Sequence, residues 1–189
     1  MSKQQYDENT VVEGLRNPQL CRVAFSQVIE HYSQPLYWQI RRMVFDHENA
    51  NDILQETFIK AWLNIENFRG DAKLSTWLHK IAINESITFL NKEKQRQNLS
   101  LDDDESYLVQ TLEADKYFDG DALQAKLLKA IASLPEKQRL VFNMRYFQEM
   151  KYDDMSEILG TSVGALKASY HIAQKKIEER NFDIRKSLL

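Results

Sequence analysis

Hydrophobic residues in this chain recur mainly at steps of three and four positions, which is the period of an amphipathic helix. Within residues 46–65, Leu54, Phe58, Ala61 and Ile65 keep this spacing and form one apolar stripe. No segment alternates apolar and polar residues for long enough to indicate a strand. The pattern therefore predicts an all-α protein.

The same spacing predicts helices on either side of this segment. Residues 23–44 are interpreted as one or two helices around Pro35, and a long helix is predicted from Ser75, a suitable N-cap, to about Lys94. The helix within residues 46–65 also has an outward face, which carries Asp52, Gln55, Glu56, Ile59 and Leu63.

Charge divides the chain into segments that its formal net charge of -3 conceals. Residues 97–121 carry 1 basic and 8 acidic side chains and interrupt the helical pattern, whereas residues 122–189 carry 12 basic and 8 acidic ones. We therefore predict an N-terminal segment, 1–21, and two small helical domains, 22–96 and 122–189, joined by an acidic flexible linker, 97–121. A nucleic-acid-binding face depends on local charge, so the basic second domain can bind DNA despite the acidic total.

The composition favours a cytoplasmic protein. Cys21 is the only cysteine and cannot form an internal disulfide, and the first residues lack an apolar run behind a basic start. No uncharged apolar stretch approaches the roughly 20 residues of a spanning helix, so no membrane insertion is expected.

Residues that would support catalysis are scattered. The four histidines have no metal-ligand spacing, and the five glycines form no phosphate-binding loop. The acidic run from Asp102 to Glu105 is interpreted as solvated rather than as a cation site. We predict no catalytic residue, metal site or cofactor.

The strongest local motif lies between Tyr152 and Lys167 and is typical of a helix-turn-helix. Met155, Ile158 and Leu159 form the inward side of a short helix, Gly160 suits a tight turn, and Thr161 or Ser162 caps the next helix. The inward stripe of that second helix is Val163, Leu166, Tyr170, Ala173 and Ile177.

The outward face of this second helix suits DNA recognition. It carries Gly164, Ala165, Lys167, Ala168, His171 and Lys175. The small residues allow the backbone to approach base edges, and the lysines can neutralise phosphates. The alternative is an ordinary helical hairpin whose lysines are only solvated.

The first domain combines aromatic, basic and amide side chains, which suit unpaired bases. Lys80, Asn84 and Thr88 share a polar helix face, and Lys73 lies nearby. Phe68, beside a glycine-containing loop, is the better candidate for base stacking, whereas Trp77 is expected in the core.

The motifs of both domains resemble those of one family, the extracytoplasmic-function (ECF) sigma factors, which are subunits of bacterial RNA polymerase. The resemblance covers about residues 22–94 and 122–185. The matching motifs are Asp52-x-x-Gln55-Glu56-x-Phe58-x-x-x-Trp62, Phe68-Arg69-Gly70-Asp71, Ser75-Thr76-Trp77-Leu78, Lys80-Ile81-Ala82-x-Asn84, and Leu134-Pro135-x-x-x-Arg139-x-Val141-Phe142.

The resemblance implies a non-enzymatic subunit that directs core polymerase to promoters and assists promoter melting, with an anti-sigma factor as a further partner. Its implied core-binding residues are Asp52, Gln55, Glu56, Ile59 and Leu63. Its implied minus-ten residues are Phe68, Arg69, Lys73, Lys80, Asn84 and Thr88. Its implied minus-thirty-five residues are Ser162, Gly164, Ala165, Lys167, Ala168, His171 and Lys175. Two alternatives stay open, a DNA-binding regulator that works without polymerase and an all-helical scaffold.

Overall fold

A computed structural model describes residues 6–68, 73–97, 103–114 and 122–186, and all structural statements concern these ranges. Every regular element there is helical, which confirms the all-α prediction. The elements are α1 (Glu8–Arg16), α2 (Cys21–Val44), α3 (His47–Leu63), a 3-10 turn (Ile65–Asn67), α4 (Leu74–Gln97), α5 (Asp103–Ala114), α6 (Ala122–Ala132), α7 (Glu136–Tyr146), α8 (Tyr152–Leu159) and α9 (Val163–Lys186).

Helices α1 to α4 form the first helical unit, in which α2 packs against the other three. Val28, Leu36 and Ile40 line the buried side of α2 and contribute to the core. Leu78 and Ile83 of α4 are also completely buried. The N-terminal segment therefore supplies a helix to this unit.

Helix α2 is a single helix of 24 residues that continues through Pro35. Proline lacks a backbone N–H and crowds the preceding turn, so it commonly kinks or ends a helix. Tertiary packing on both sides of Pro35, through Tyr32 and Leu36, holds this helix together. It ends at Phe45, whose φ of 59° is left-handed and whose N–H donates to the Arg41 carbonyl.

The segment between the two units contains a helix that the sequence pattern did not predict. Helix α5 packs against α6, and its Leu108 and Leu112 are buried. Glu113 of α5 and Lys129 of α6 form an ion pair. Two leucines four residues apart suffice to anchor a short helix once a neighbouring apolar surface is present.

Helices α6 to α9 form the second unit, whose core lies mainly between α7 and α9. The rings of Phe142 and Tyr170 stack across that contact with centroids 5.9 Å apart. Arg139 is buried, and its guanidinium donates to the carbonyls of Ala132 at 3.3 Å and Leu134 at 3.0 Å. These bonds satisfy the carbonyl of the last residue of α6, which lacks a helical partner, and that of Leu134 just beyond the helix.

The two units contact each other through α2 and α7. The side-chain amide of Asn143 donates to the Arg42 carbonyl at 3.0 Å. The Arg42 guanidinium lies 4.1 Å from the Phe147 ring centroid, and burial lowers the pKa of this arginine. Among the helices within the described ranges, none has the length and apolar character needed to cross a membrane.

Candidate polymerase-binding and nucleic-acid interfaces

Helix α3 presents two chemically different faces. Asp46 caps its start by accepting a hydrogen bond from the Asn49 N–H at 2.7 Å. The inward face is buried and consists of Ala50, Ile53, Thr57, Phe58 and Ala61. The five residues predicted to face outward, Asp52, Gln55, Glu56, Ile59 and Leu63, are all exposed.

The outward face of α3 includes an apolar patch. Ile59 is 52% exposed and Leu63 is 73% exposed. Trp62 is 37% exposed, and its ring lies 5.0 Å from that of Phe25 in α2. Our set of site residues omitted Trp62, although the motif that ends at this tryptophan could have identified it. Carboxylates beside such a patch suit a protein partner that offers both basic and apolar groups.

The polar face predicted on α4 is present. Asn84 and Thr88 are exposed one helical turn apart, and the Thr88 hydroxyl donates to the Asn84 carbonyl at 2.8 Å. Lys80 lies one turn earlier, and its ammonium is 3.8 Å from a carboxylate oxygen of Glu157 in α8. Lys73 is exposed immediately before the helix.

Phe68, the predicted candidate for base stacking, is buried rather than open to solvent. Its side chain is only 8% exposed, and its ring lies 5.1 Å from that of Trp77, which is partly buried. The 3-10 turn Ile65–Asn67 precedes it, and the Phe68 N–H donates to the Ile65 carbonyl at 3.1 Å. Arg69, which the family motif suggested, lies outside the described residues.

The helix-turn-helix is formed by α8 and α9. Gly160 ends α8 with a φ of 60°, a conformation that favours glycine. Of the two candidate caps, Ser162 takes the role, because its hydroxyl accepts a hydrogen bond from the Ala165 N–H at 3.3 Å. The inward stripe includes the buried residues Leu166, Ala173 and Ile177.

All the predicted recognition positions of α9 are exposed, namely Ser162, Gly164, Ala165, Lys167, Ala168, His171 and Lys175. A Cβ added at Gly164 would have no atom within 4 Å, so the backbone there is open to a ligand. The Lys167 ammonium lies 5.7 Å from the Tyr152 ring centroid, a cation–π geometry that orients it. Lys175 has an exposed carboxylate partner, Glu179, at 3.9 Å.

Family comparisons match both helical units. Residues 28–96 match Sigma-70 region 2, and residues 124–177 match Sigma-70, region 4. The ECF RNA polymerase sigma factor SigW of Bacillus subtilis is 30% identical over 169 residues, covering 85% of this chain and 90% of that protein. The RNA polymerase sigma-H factor of Pseudomonas aeruginosa is 29% identical, covering 82% and 85%.

Solved structures share this fold at lower identity. The sigma factor RpoE of Bartonella quintana, in complex with the anti-sigma factor NepR, has a TM-score of 0.65 at 22% identity and covers 82% of this chain and 95% of its own. CnrH, in complex with the cytosolic domain of CnrY, has a TM-score of 0.64 at 18% identity, covering 92% and 95%.

These features define a helical protein in which a helix-turn-helix unit is packed against a unit with an exposed docking helix. The chain belongs to the ECF RNA polymerase sigma factors. It acts with core RNA polymerase and promoter DNA in promoter-specific initiation of transcription.

Proposed function

We propose that the outward face of α3 is the surface that docks on core polymerase. The observation that carries this proposal is the exposure of Ile59 and Leu63 on a helix whose other face is buried. A partner that covers these two side chains removes apolar surface from water, which favours association. Asp52 and Glu56 would add pairs with basic groups, which contribute to specificity and to the association rate.

The polar face of α4 is proposed to bind the minus-ten strand after it melts. Lys73 and Lys80 supply positive charge for phosphates, and Asn84 supplies an amide that can pair with a base edge. Thr88, and Arg69 from the motif, complete this set. Phe68 is buried in the free protein, so its role here is to support the start of α4 rather than to offer a ready stacking surface.

The exposed face of α9 is proposed to read the minus-thirty-five duplex in the major groove. Gly164, Ala165 and Ala168 allow close approach, while Lys167 and Lys175 contact phosphates. Residues 97–121 would serve as the connection between the two DNA-binding units. In this scheme the protein forms and breaks no covalent bond, and it works in the cytoplasm.

An anti-sigma factor is proposed as a further partner. The relative from Bartonella quintana is held by an anti-sigma factor. In this chain, the apolar patch of Ile59, Trp62 and Leu63 offers such a regulator a surface that it would share with polymerase. A regulator bound there would exclude polymerase by direct competition.

In vitro transcription with core polymerase on a library of promoters tests the whole proposal. Promoter-specific transcripts that require both this protein and core are the expected result. A regulator that works without polymerase would bind duplex DNA but fail to co-purify with core, and a scaffold would do neither. Failure to bind core would refute the docking assignment.

A further inference from the structure

Glu8, in the N-terminal helix, holds two distant parts of the first unit with one carboxylate. One oxygen accepts a hydrogen bond from the backbone N–H of Leu74 at 3.1 Å. The other accepts from the Tyr32 hydroxyl at 3.1 Å. Glu8 precedes residues 28–96, which match Sigma-70 region 2, so its role is not part of that match.

The bond to Leu74 acts as a helix cap supplied from elsewhere in the chain. Leu74 is the first residue of α4, and the first N–H groups of a helix have no partner within it. Ser75, which we predicted as the cap, lies inside the helix. The Glu8 carboxylate bonds to this helix start, and its negative charge is favourable there because of the helix dipole.

Close packing holds α1, and therefore Glu8, in place. Val11 and Leu15 are buried, and a Cβ added at Gly14 would lie 2.9 Å from the Ala24 Cβ. At the other end of the helix, Tyr6 stacks on His31 with ring centroids 3.7 Å apart. The Glu8 carboxylate is thus anchored to α2 before it contacts α4.

We propose that Glu8 is a positioning residue for strand capture, because it fixes the start of α4 and thereby the direction of Lys73, Lys80 and Asn84. This inference rests on the proposed role of the α4 face. Glu8 acts through the Leu74 N–H and does not itself contact DNA. Without the carboxylate, the first turn of α4 loses its cap, and the side chains next to that turn lose their fixed placement.

The test uses full-length protein bound to core polymerase. The probe is a fork-junction DNA, which is duplex upstream and single-stranded at the minus-ten element, built from a promoter that the wild-type protein transcribes. Glu8→Ala removes both acceptors, whereas Glu8→Gln keeps an oxygen for the Leu74 N–H. Glu13→Ala is the matched control, since Glu13 is an exposed carboxylate on the same helix.

We expect Glu8→Ala to weaken fork-junction binding about 10-fold, because a hydrogen bond to a charged group is lost. Core affinity and binding to the upstream duplex alone should stay at wild-type values. Glu8→Gln should recover most of the loss, and Glu13→Ala should match wild type. A general loss of stability would instead lower core affinity as well, and that result would overturn the positioning role.

Further outcomes separate this inference from the function on which it rests. If Asn84→Ala weakens fork-junction binding while folded Glu8→Ala does not, the positioning role is refuted and the α4 face is retained. If Asn84→Ala and Lys80→Ala both bind normally, the α4 assignment fails and the inference fails with it. Tighter binding by Glu8→Gln than by wild type would mean that Glu8 only repels DNA, which also refutes positioning.

Discussion

Lys94 of α4 and Glu136 of α7 form an ion pair with a nitrogen–oxygen distance of 2.8 Å that joins the two helical units. Their side chains are only 16% and 30% exposed, so water screens this pair less than it screens an ion pair at the open surface. The hydrogen bond from Asn143 to the Arg42 carbonyl lies in the same interface between units. The free protein therefore has a specific packed arrangement of its two units.

Reversing the charge of Glu136 should separate the units. In Glu136→Lys, two positive charges would face each other, and the radius of gyration measured by small-angle X-ray scattering at low salt should increase. Lys137→Glu is the control, because Lys137 is exposed on the same helix. An unchanged radius of gyration in Glu136→Lys would show that this pair does not hold the units together.

Core binding should depend on the outward face of α3. We expect Asp52→Ala, Gln55→Ala and Glu56→Ala together to weaken binding to core polymerase without lowering thermal stability, since all three side chains are exposed. A charged interfacial pair contributes about 1.5–7 kcal/mol in double-mutant cycles. Glu178→Ala, at an exposed position of α9, is the control. Wild-type core affinity in the folded triple mutant would contradict the docking assignment.

Phe68→Ala should destabilise the first unit. Truncating a buried phenylalanine costs about 3–5 kcal/mol, through lost burial and the cavity left behind. Urea denaturation should show a lower midpoint, and Phe68→Leu should recover part of the loss. Trp77→Ala should also destabilise, because its ring packs on Phe68. If Phe68→Ala is as stable as wild type, the Phe68 ring is accessible in solution, and the prediction that it stacks on an unpaired base is supported.

Stability should fall with acidification below about pH 6.5 because of His79. Burial lowers the pKa of His79 to about 4, and its Nδ1 bonds to the Gln39 side-chain oxygen. Above pH 6.5, His79 is neutral in both the folded and the unfolded protein. Between pH 6.5 and 4, His79 gains a proton only in the unfolded protein. Acidification through this range therefore lowers the free energy of unfolding by up to about 3 kcal/mol.

Thermal melts across this pH range check the His79 prediction. The variant His79→Gln removes the titrating group while keeping a polar side chain. The difference in melting temperature between wild type and variant gives the contribution of His79, separate from that of the carboxylates, which titrate at lower pH. An equal loss of stability in both proteins between pH 6.5 and 4 would assign the effect to other groups.

Lys167 and Lys175 should each contribute to the salt dependence of duplex binding. Each phosphate that a lysine neutralises adds about 0.9 to the slope of log affinity against log salt. The double variant Lys167→Ala, Lys175→Ala should therefore reduce that slope by about 2. Lys137→Ala, on α7, is the control. A slope equal to that of wild type would exclude phosphate contacts by these lysines.

The spacing of nearby residues in the sequence was enough to predict the helix faces and the helix-turn-helix. The two faces of α3 follow from steps of three and four residues, since side chains at that spacing share one side of a helix. The helix-turn-helix was predicted from Gly160, which suits a tight turn, and from the apolar stripes of the helices before and after it. The proposed core and duplex-binding faces could be located for the same reason.

The arrangement of distant residues was decided only by the tertiary structure. Glu8 caps a helix that begins 66 residues later, and no local pattern encodes that partner. Phe68 turns inward because Trp77 and the neighbouring core offer it a surface, and α5 forms where α6 provides an apolar neighbour for Leu108. Helical periodicity indicates which side of a helix is apolar. Which other helix packs against that side depends on how the whole chain folds.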